Sequence, residues 1–243
     1  MQLFYQPGVP QGVNHLDSEE SKHCIKVLRK KLNDPIDIVD GKGTFYKALI
    51  TETNPRKTPF SIVGQRAEDL KNYSIHLAVA PTKRLERIEW LVEKATELGV
   101  DRISFIQCRN SERHRLRLER LQRKAISAMK QSIKATLPRM DELVSFVDFF
   151  DSIDPEANKL LAHLSETARP LLTVAMPGAS YCVLVGPEGD FSKEEIAMAA
   201  DHGFQTMHLG NSRLRTETAA LAAVVGLALS AGRVDEGGKV LGL

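Results

Sequence analysis

The sequence predicts an α/β protein: a parallel sheet with helices on both faces, preceded by a small β-rich amino-terminal domain. Three observations carry this. Residues 1–70 contain short alternating apolar runs separated by turn signals. Residues 71–243 alternate strand-like with helix-like segments, the pattern of a parallel sheet flanked by helices. At 243 residues, 42% of them hydrophobic and 26% charged, the chain can bury such a core without disulfides or metal.

In the first domain a short helix is expected over 18–28. Ile36-Asp37-Ile38-Val39 alternates apolar and polar residues, and Asp40-Gly41 marks a turn before an apolar run over 44–50. A third run, 60–63, follows Pro55 and Pro59. A small barrel with basic residues on one side accommodates these strands. The polar segment 68–72 suits a boundary, which divides the chain at 1–70 and 71–243.

In the second domain 75–80 reads as an apolar strand. Apolar residues at 85, 88, 91, 92, 95 and 98 have helical spacing over 83–98, and Gly99 suits the left-handed residue that ends a helix. Strand 103–106 follows. The basic stretch 109–139 is expected as a helix with an apolar stripe of Leu118, Leu121, Ala125, Ala128, Met129 and Ile133. Residues 159–163, 181–185 and 204–209 read as strands. Ser192 and Glu195 make a capping box for a helix over 192–200 that stops at Gly203. The Ala-, Leu- and Val-rich span 216–231 reads as a largely buried helix.

Composition narrows the function. No run approaches the ~20 apolar residues of a membrane span, and Met1–Pro7 lacks the basic and apolar segments of a signal peptide. Cys24, Cys108 and Cys182 are odd in number and far apart, which fits reduced thiols and a cytoplasmic location. No metal is expected, because no His, Cys or Asp cluster has ligand spacing. Net charge is only +2, yet 109–139 holds ten Lys or Arg against Glu112 and Glu119. Lys22, Lys26, Arg29, Lys30 and Lys31 form a second basic cluster. Two such patches on a nearly neutral chain point to a polyanionic partner, with nucleic acid the leading class.

Two loops stand out. Gly186-Pro187-Glu188-Gly189-Asp190-Phe191 joins a buried strand to the capped helix. Leu209-Gly210-Asn211-Ser212-Arg213-Leu214-Arg215-Thr216-Glu217-Thr218-Ala219 joins the next strand to the last helix. Consecutive βα units set such loops at one sheet edge, where ligands of open α/β sheets bind. Neither loop is a dinucleotide fingerprint or a P-loop, and no G-x-S-x-G elbow occurs. A moderate-sized ligand held largely by backbone groups fits them.

These two loops, together with Lys22-His23, Glu93-Lys94-Ala95-Thr96-Glu97-Leu98-Gly99 and Ser111-Glu112-Arg113, resemble the bacterial small-subunit rRNA (uracil-N3)-methyltransferase family, the RsmE type of the SPOUT superfamily. The likeness spans nearly the whole chain. It implies a PUA-like RNA-binding barrel, then a methyltransferase domain with a carboxyl-terminal trefoil knot. It implies S-adenosylmethionine held by Leu184, Gly186, Pro187, Glu188, Gly189, Leu209, Gly210, Leu214, Arg215, Thr216, Thr218, Ala219 and His163. It also implies a homodimer that modifies a uridine in the decoding region of 16S rRNA. Arg215 is the expected stabiliser of the uracil anion, with Arg113 second, and Glu217 or Glu188 the candidate base. Lys22, Lys26, Arg29, Lys30, Arg109, Arg113, Arg117, Arg120 and Lys134 are the expected RNA contacts. Alternatives are a sister enzyme acting on a ribose 2′-OH or another base, and a non-catalytic rRNA-binding assembly factor. Three positions depart from the family pattern: Asp190 and Ile133 stand where many members carry glycine, and Lys134 stands where they carry arginine.

Overall fold

The computed structural model describes residues 2–69 and 71–231. Its internal contacts divide the chain into Met1–Leu70 with Ala125–Leu137, and Lys71–Lys124 with Pro138–Leu243. The segment 125–137, expected in the second domain, thus groups with the first.

The first unit is built on a four-stranded sheet in the order β1 (Leu3–Tyr5), β2 (Pro35–Val39), β3 (Thr44–Ile50), β4 (Phe60–Ala67). β1 and β2 are parallel, and the other two pairs antiparallel. The β2–β3 turn occupies residues 40–43, where Asp40-Gly41 marked it. Asp40 Oδ1 accepts from the N–H groups of Lys42 and Thr44, so its own side chain organises the loop. Helix α1 (Ser18–Lys22) is capped by Asp17 and runs into one π-helical turn over His23–Val27. Phe4, Leu16, Cys24, Ile36, Ile38, Ile50 and Phe60 form the main core. A smaller one joins Leu3, Val39 and Phe45 to Met129 and Ala135. Glu20 is buried, and its Oε1 is met by Lys130 Nζ and the Tyr5 N–H.

The second unit contains a seven-stranded sheet with every pairing parallel. Its strands are β5 (Ser74–Val79), β6 (Arg102–Gln107), β7 (Arg139–Ser145), β8 (Asn158–Ala162), β9 (Arg169–Pro170), β10 (Ser180–Val185) and β11 (Gln205–His208). Their order is β7-β6-β5-β10-β8-β11-β9. The connecting helices are α2 (Leu85–Glu97), α3 (Leu118–Gln131, which groups with the first unit from Ala125 on), the one-turn α4 (Phe146–Phe149) and α5 (Leu171–Val174), α6 (Lys193–Asp201) and α7 (Thr216–Ala231). One face of the sheet buries Ala78, Leu161, Cys182 and Leu184 against Phe146, Phe149, Phe150, Phe191 and Ala199. Leu77, Val79, Val183 and Val185 alternate to the other face; α7 packs on β5, β10 and α2.

Helix ends follow from the backbone. Gly99 and Gly203 have φ of 80° and 85°, and each closes its helix with the paired N–H contacts of a Schellman motif. The capping box of α6 is present as expected, with Ser192 and Glu195 bonded reciprocally. α3 is shorter than the basic stretch suggested. Residues 109–117 are not helical, because Ser111 Oγ accepts from the Cys108 N–H and Arg113 is drawn to backbone carbonyls of another loop. Ile133 does not continue the apolar stripe. It lies beyond the helix, exposed, with φ of 55°. β7 was not anticipated, since its residues are only half-buried and acidic positions interrupt their alternation.

A polar network crosses three adjacent strands. His76 Nε2 lies 2.7 Å from Ser104 Oγ, which donates to Asp141 Oδ2 at 2.5 Å, and Arg102 Nε donates to the same oxygen at 2.6 Å. Burial pushes the His76 imidazole down to about 4, helped by the Arg102 charge. The three cysteines are free and buried. Among the described residues no helix is long and apolar enough to cross a membrane.

Candidate active site

β8, β10 and β11 are neighbours in the sheet and run parallel, so the loops that follow them emerge at one edge. There they enclose a cleft of about 710 Å³. Its wall takes Ala162, His163 and Leu164 after β8, Val185 to Glu188 and Asp190 after β10, and Met207 to Thr216 with Ala219 around the start of α7. Arg87 from α2 completes it. The cleft mixes apolar side chains with a few cations, a composition suited to a ligand of moderate size.

The loops brace one another. Thr216, buried at the start of α7, donates its hydroxyl to the Gly186 carbonyl at 3.0 Å, tying the two loops together. At Gly186 a Cβ would stand 2.9 Å from the Phe191 ring, so a larger residue would displace that core aromatic. Asp190 takes a left-handed backbone, φ 61°, and bonds both ways: Oδ1 accepts from the Phe191 N–H, and Oδ2 lies 3.1 Å from His163 Nδ1. Asn110 donates to the carbonyls of Gly189 and Asp190, fixing the loop from outside. Gly210 has φ of 108° with open space where a Cβ would lie, leaving its backbone accessible.

Charge within the cleft is mainly positive: Arg87, Arg213 and Arg215 against Glu188 and Asp190. Glu217 follows Arg215 in sequence but not in chemistry. It is buried, one carboxylate oxygen lies 3.4 Å from Arg87 Nε, and the other has no partner among the described residues. Glu188 accepts a long bond from the Lys83 N–H, 3.3 Å.

Ten of the thirteen residues expected to hold a cofactor line the cleft: Gly186, Pro187, Glu188, Leu209, Gly210, Leu214, Arg215, Thr216, Ala219 and His163. Three do not. Leu184 points into the core, Gly189 backs onto Asn110, and Thr218 is exposed on α7 away from the wall. Of the expected catalytic residues, only Arg215 and Glu188 face the cleft. Glu217 lies beneath Arg87, and Arg113 lies elsewhere, its Nε on the Thr82 carbonyl. Sequence reasoning missed Arg87, whose helical position carries no mark of function. It also passed over Asn211, Ser212 and Arg213, which sit inside the quoted loop. Among the RNA candidates Lys22, Lys26 and Arg29 are exposed on the first unit, where Lys30 bonds the Pro35 carbonyl and Lys134 is half-buried. Arg117 is exposed on the second unit. Arg109 pairs with Glu194 and Arg120 with the buried Glu89.

The sequence family described as an RNA methyltransferase domain matches residues 69–228. The chain belongs to this RNA methyltransferase family. A second family, the RNA methyltransferase PUA domain, matches residues 16–58, within the first unit. The methyltransferase is similar to a probable rRNA-methyltransferase of Porphyromonas gingivalis, 38% identical with a TM-score of 0.87 over 93% of this chain and 96% of that one. It is also similar to a ribosomal RNA small subunit methyltransferase E from Neisseria gonorrhoeae, a structure bound to S-adenosyl methionine, at 29% identity and TM-score 0.82 over 96% and 98% of the two chains. The relative of that name from Aquifex aeolicus is 29% identical over 92% of this chain and 97% of its own.

Proposed function

We propose that the chain transfers a methyl group from S-adenosylmethionine to N3 of a uridine in 16S rRNA, the decoding-region position 1498 that the family modifies. The observation that carries this is the cleft, built from the three loops at one sheet edge and lined by ten of the residues expected to hold the cofactor. The cofactor-bound relative supports the choice of methyl donor. A homodimer in the cytoplasm and a trefoil knot in the second unit belong to the same reading.

The residues present fit that donor. The open backbone at Gly210 and the cleft's mix of apolar and polar lining residues suit a nucleoside with an amino-acid end, and the volume suits a ligand of that size. S-adenosylmethionine supplies an electrophilic methyl group on a sulfonium. The chain must do the rest. Uracil N3–H is weakly acidic and unreactive while protonated, so Arg215, on the cleft wall, stabilises the anion at its carbonyl oxygens. Arg87, oriented by Glu217, adds positive charge on the same wall. Glu217 is buried beside Arg87 and Asp190 is engaged by His163, so Glu188 is the exposed cleft carboxylate without a side-chain partner that accepts the proton. Thr216 and Asp190 tie the loops of the cleft to one another, which would keep the methyl donor's seat fixed for the incoming base.

The test is incubation with labelled S-adenosylmethionine and small ribosomal subunits lacking the modification, followed by nucleoside analysis. N3-methyluridine is expected. A ribose-methylated nucleoside would assign the sister activity, and no product from folded, cofactor-binding protein would assign the assembly-factor role.

A further inference from the structure

A second, shallower depression of about 310 Å³ lies on the same unit, lined by Lys83, Glu112, Arg113, His114 and Arg115. We infer that it is a preformed seat for a single phosphodiester of the RNA strand, next to the nucleotide whose base enters the methyl-transfer cleft. This rests on the reading of the cleft as a uridine methyltransferase site.

Four observations carry it. Arg113 is fixed before any ligand arrives: its Nε donates to the Thr82 carbonyl at 2.9 Å and one Nη to the Lys83 carbonyl, and Thr82 is itself buried and bonded to Arg84. The other Nη has no partner among the described residues, so the guanidinium is held in place with donors to spare. Lys83 and Arg115 bring further cations against the lone carboxylate of Glu112. Glu112 pairs with Lys83 at 2.8 Å between two largely exposed side chains, a weak pair that a phosphate displaces readily. No Phe, Tyr or Trp lines the depression, and its one ring, His114, is tied through Nδ1 to the Gln107 amide at 3.0 Å, whereas the two guanidinium groups of Arg113 and Arg115 match phosphate oxygens. Finally, Lys83 touches both sites. Its side chain lines the depression and its N–H donates to Glu188, which lines the cleft. A strand that places its base in one therefore passes its backbone beside the other.

The experiment uses the full chain and RNA oligonucleotides carrying the rRNA sequence around the target uridine, each with one linkage replaced by a neutral methylphosphonate. Binding is read by fluorescence anisotropy, and S-adenosylmethionine binding is measured separately. One linkage flanking the uridine is expected to weaken wild-type binding about tenfold, while the same linkage has little effect on Arg115→Ala, which also loses about 0.7 from the salt-dependence slope. Arg113→Lys, which keeps the charge but cannot span two carbonyls, is expected to show a reduced linkage effect with cofactor binding unchanged. The inference is overturned if every linkage affects wild type and Arg115→Ala alike, or if wild type does not bind the RNA. Retained RNA binding without that coupling assigns the depression to another anion, such as an acidic protein segment. Coupling without any methyl transfer leaves the phosphate seat standing and refutes the reading of the cleft.

Discussion

Ile133 ends α3 with its backbone at φ 55°, where a β-branched side chain is strained. Its N–H bonds the Lys130 carbonyl and the Lys134 N–H bonds that of Met129, so Ile133 occupies the position that a Schellman motif reserves for glycine. The departure from the family pattern is thus a departure in strain. Its side chain is 45% exposed and packs little. Ile133→Gly is expected to raise stability by about 1 kcal/mol, or ~2–4 °C in thermal unfolding, strain relief exceeding the entropy cost of glycine. Asp190 meets the same demand differently, since Asp tolerates this conformation and its carboxylate bonds Phe191 and His163. Asp190→Ala keeps the strain and loses both bonds, and is expected to cost about 1–2 kcal/mol, whereas Asp190→Gly stays near neutral in the same melts. Arg215→Ala is expected to reduce methyl transfer at least 100-fold with the cofactor still bound, measured by single-turnover assay. At this scale the sequence exposed both unusual residues but not their backbone angles, which only the turns around them set.

Among the elements, strands and helices with unbroken apolar patterns were legible. α7 spans the residues its composition indicated, and β10 the buried run around 181–185. Half-buried elements were not. β1, β7 and the short β9 lack a sustained alternation, and the basic helix was read too long because charge density is no guide to where a backbone leaves the helix. The network across β5, β6 and β7 has a consequence for pH. His76 is neutral in the fold, its imidazole held near 4 rather than the usual 6.5 or so by burial first, then by Arg102 and Arg139 against the opposing Asp141. A group depressed in the folded state costs stability as protons are taken up by the unfolded chain. Stability is therefore expected to hold above about pH 6.5 and to fall toward pH 4 by up to about 1.4 kcal/mol per unit. Thermal melts across pH 4.5–7.5 check this, and His76→Gln should flatten the slope in that window. A wild-type curve as flat as the variant's would refute the assignment.

For the molecule as a whole, the change in pattern near residue 70 coincides with a break between the two compact units, at Leu70 and Lys71. The return of Ala125–Leu137 to the first unit was not legible, because nothing local in an amphipathic helix names the core it joins. The three thiols are buried, and burial pushes Cys24 up to about 11 and Cys182 up to about 12, with Cys108 raised further. At neutral pH the folded protein is expected to resist thiol-specific labelling and to take three labels only in denaturant, as counted by mass spectrometry. Arg117 is exposed with no ion-pair partner among the described residues, so Arg117→Ala should weaken RNA binding and lower its salt slope by about 0.7 to 0.9, leaving cofactor affinity unchanged. Arg120 is a poorer probe, because its loss strands the buried Glu89. Everything at this scale depends on the cleft being a methyl-donor pocket. Titration calorimetry with S-adenosylmethionine, run at two temperatures on folded protein, tests that most directly. One molecule bound per chain, weakened when Gly186→Ala disturbs the loop, is the predicted result; no association at either temperature would contradict it.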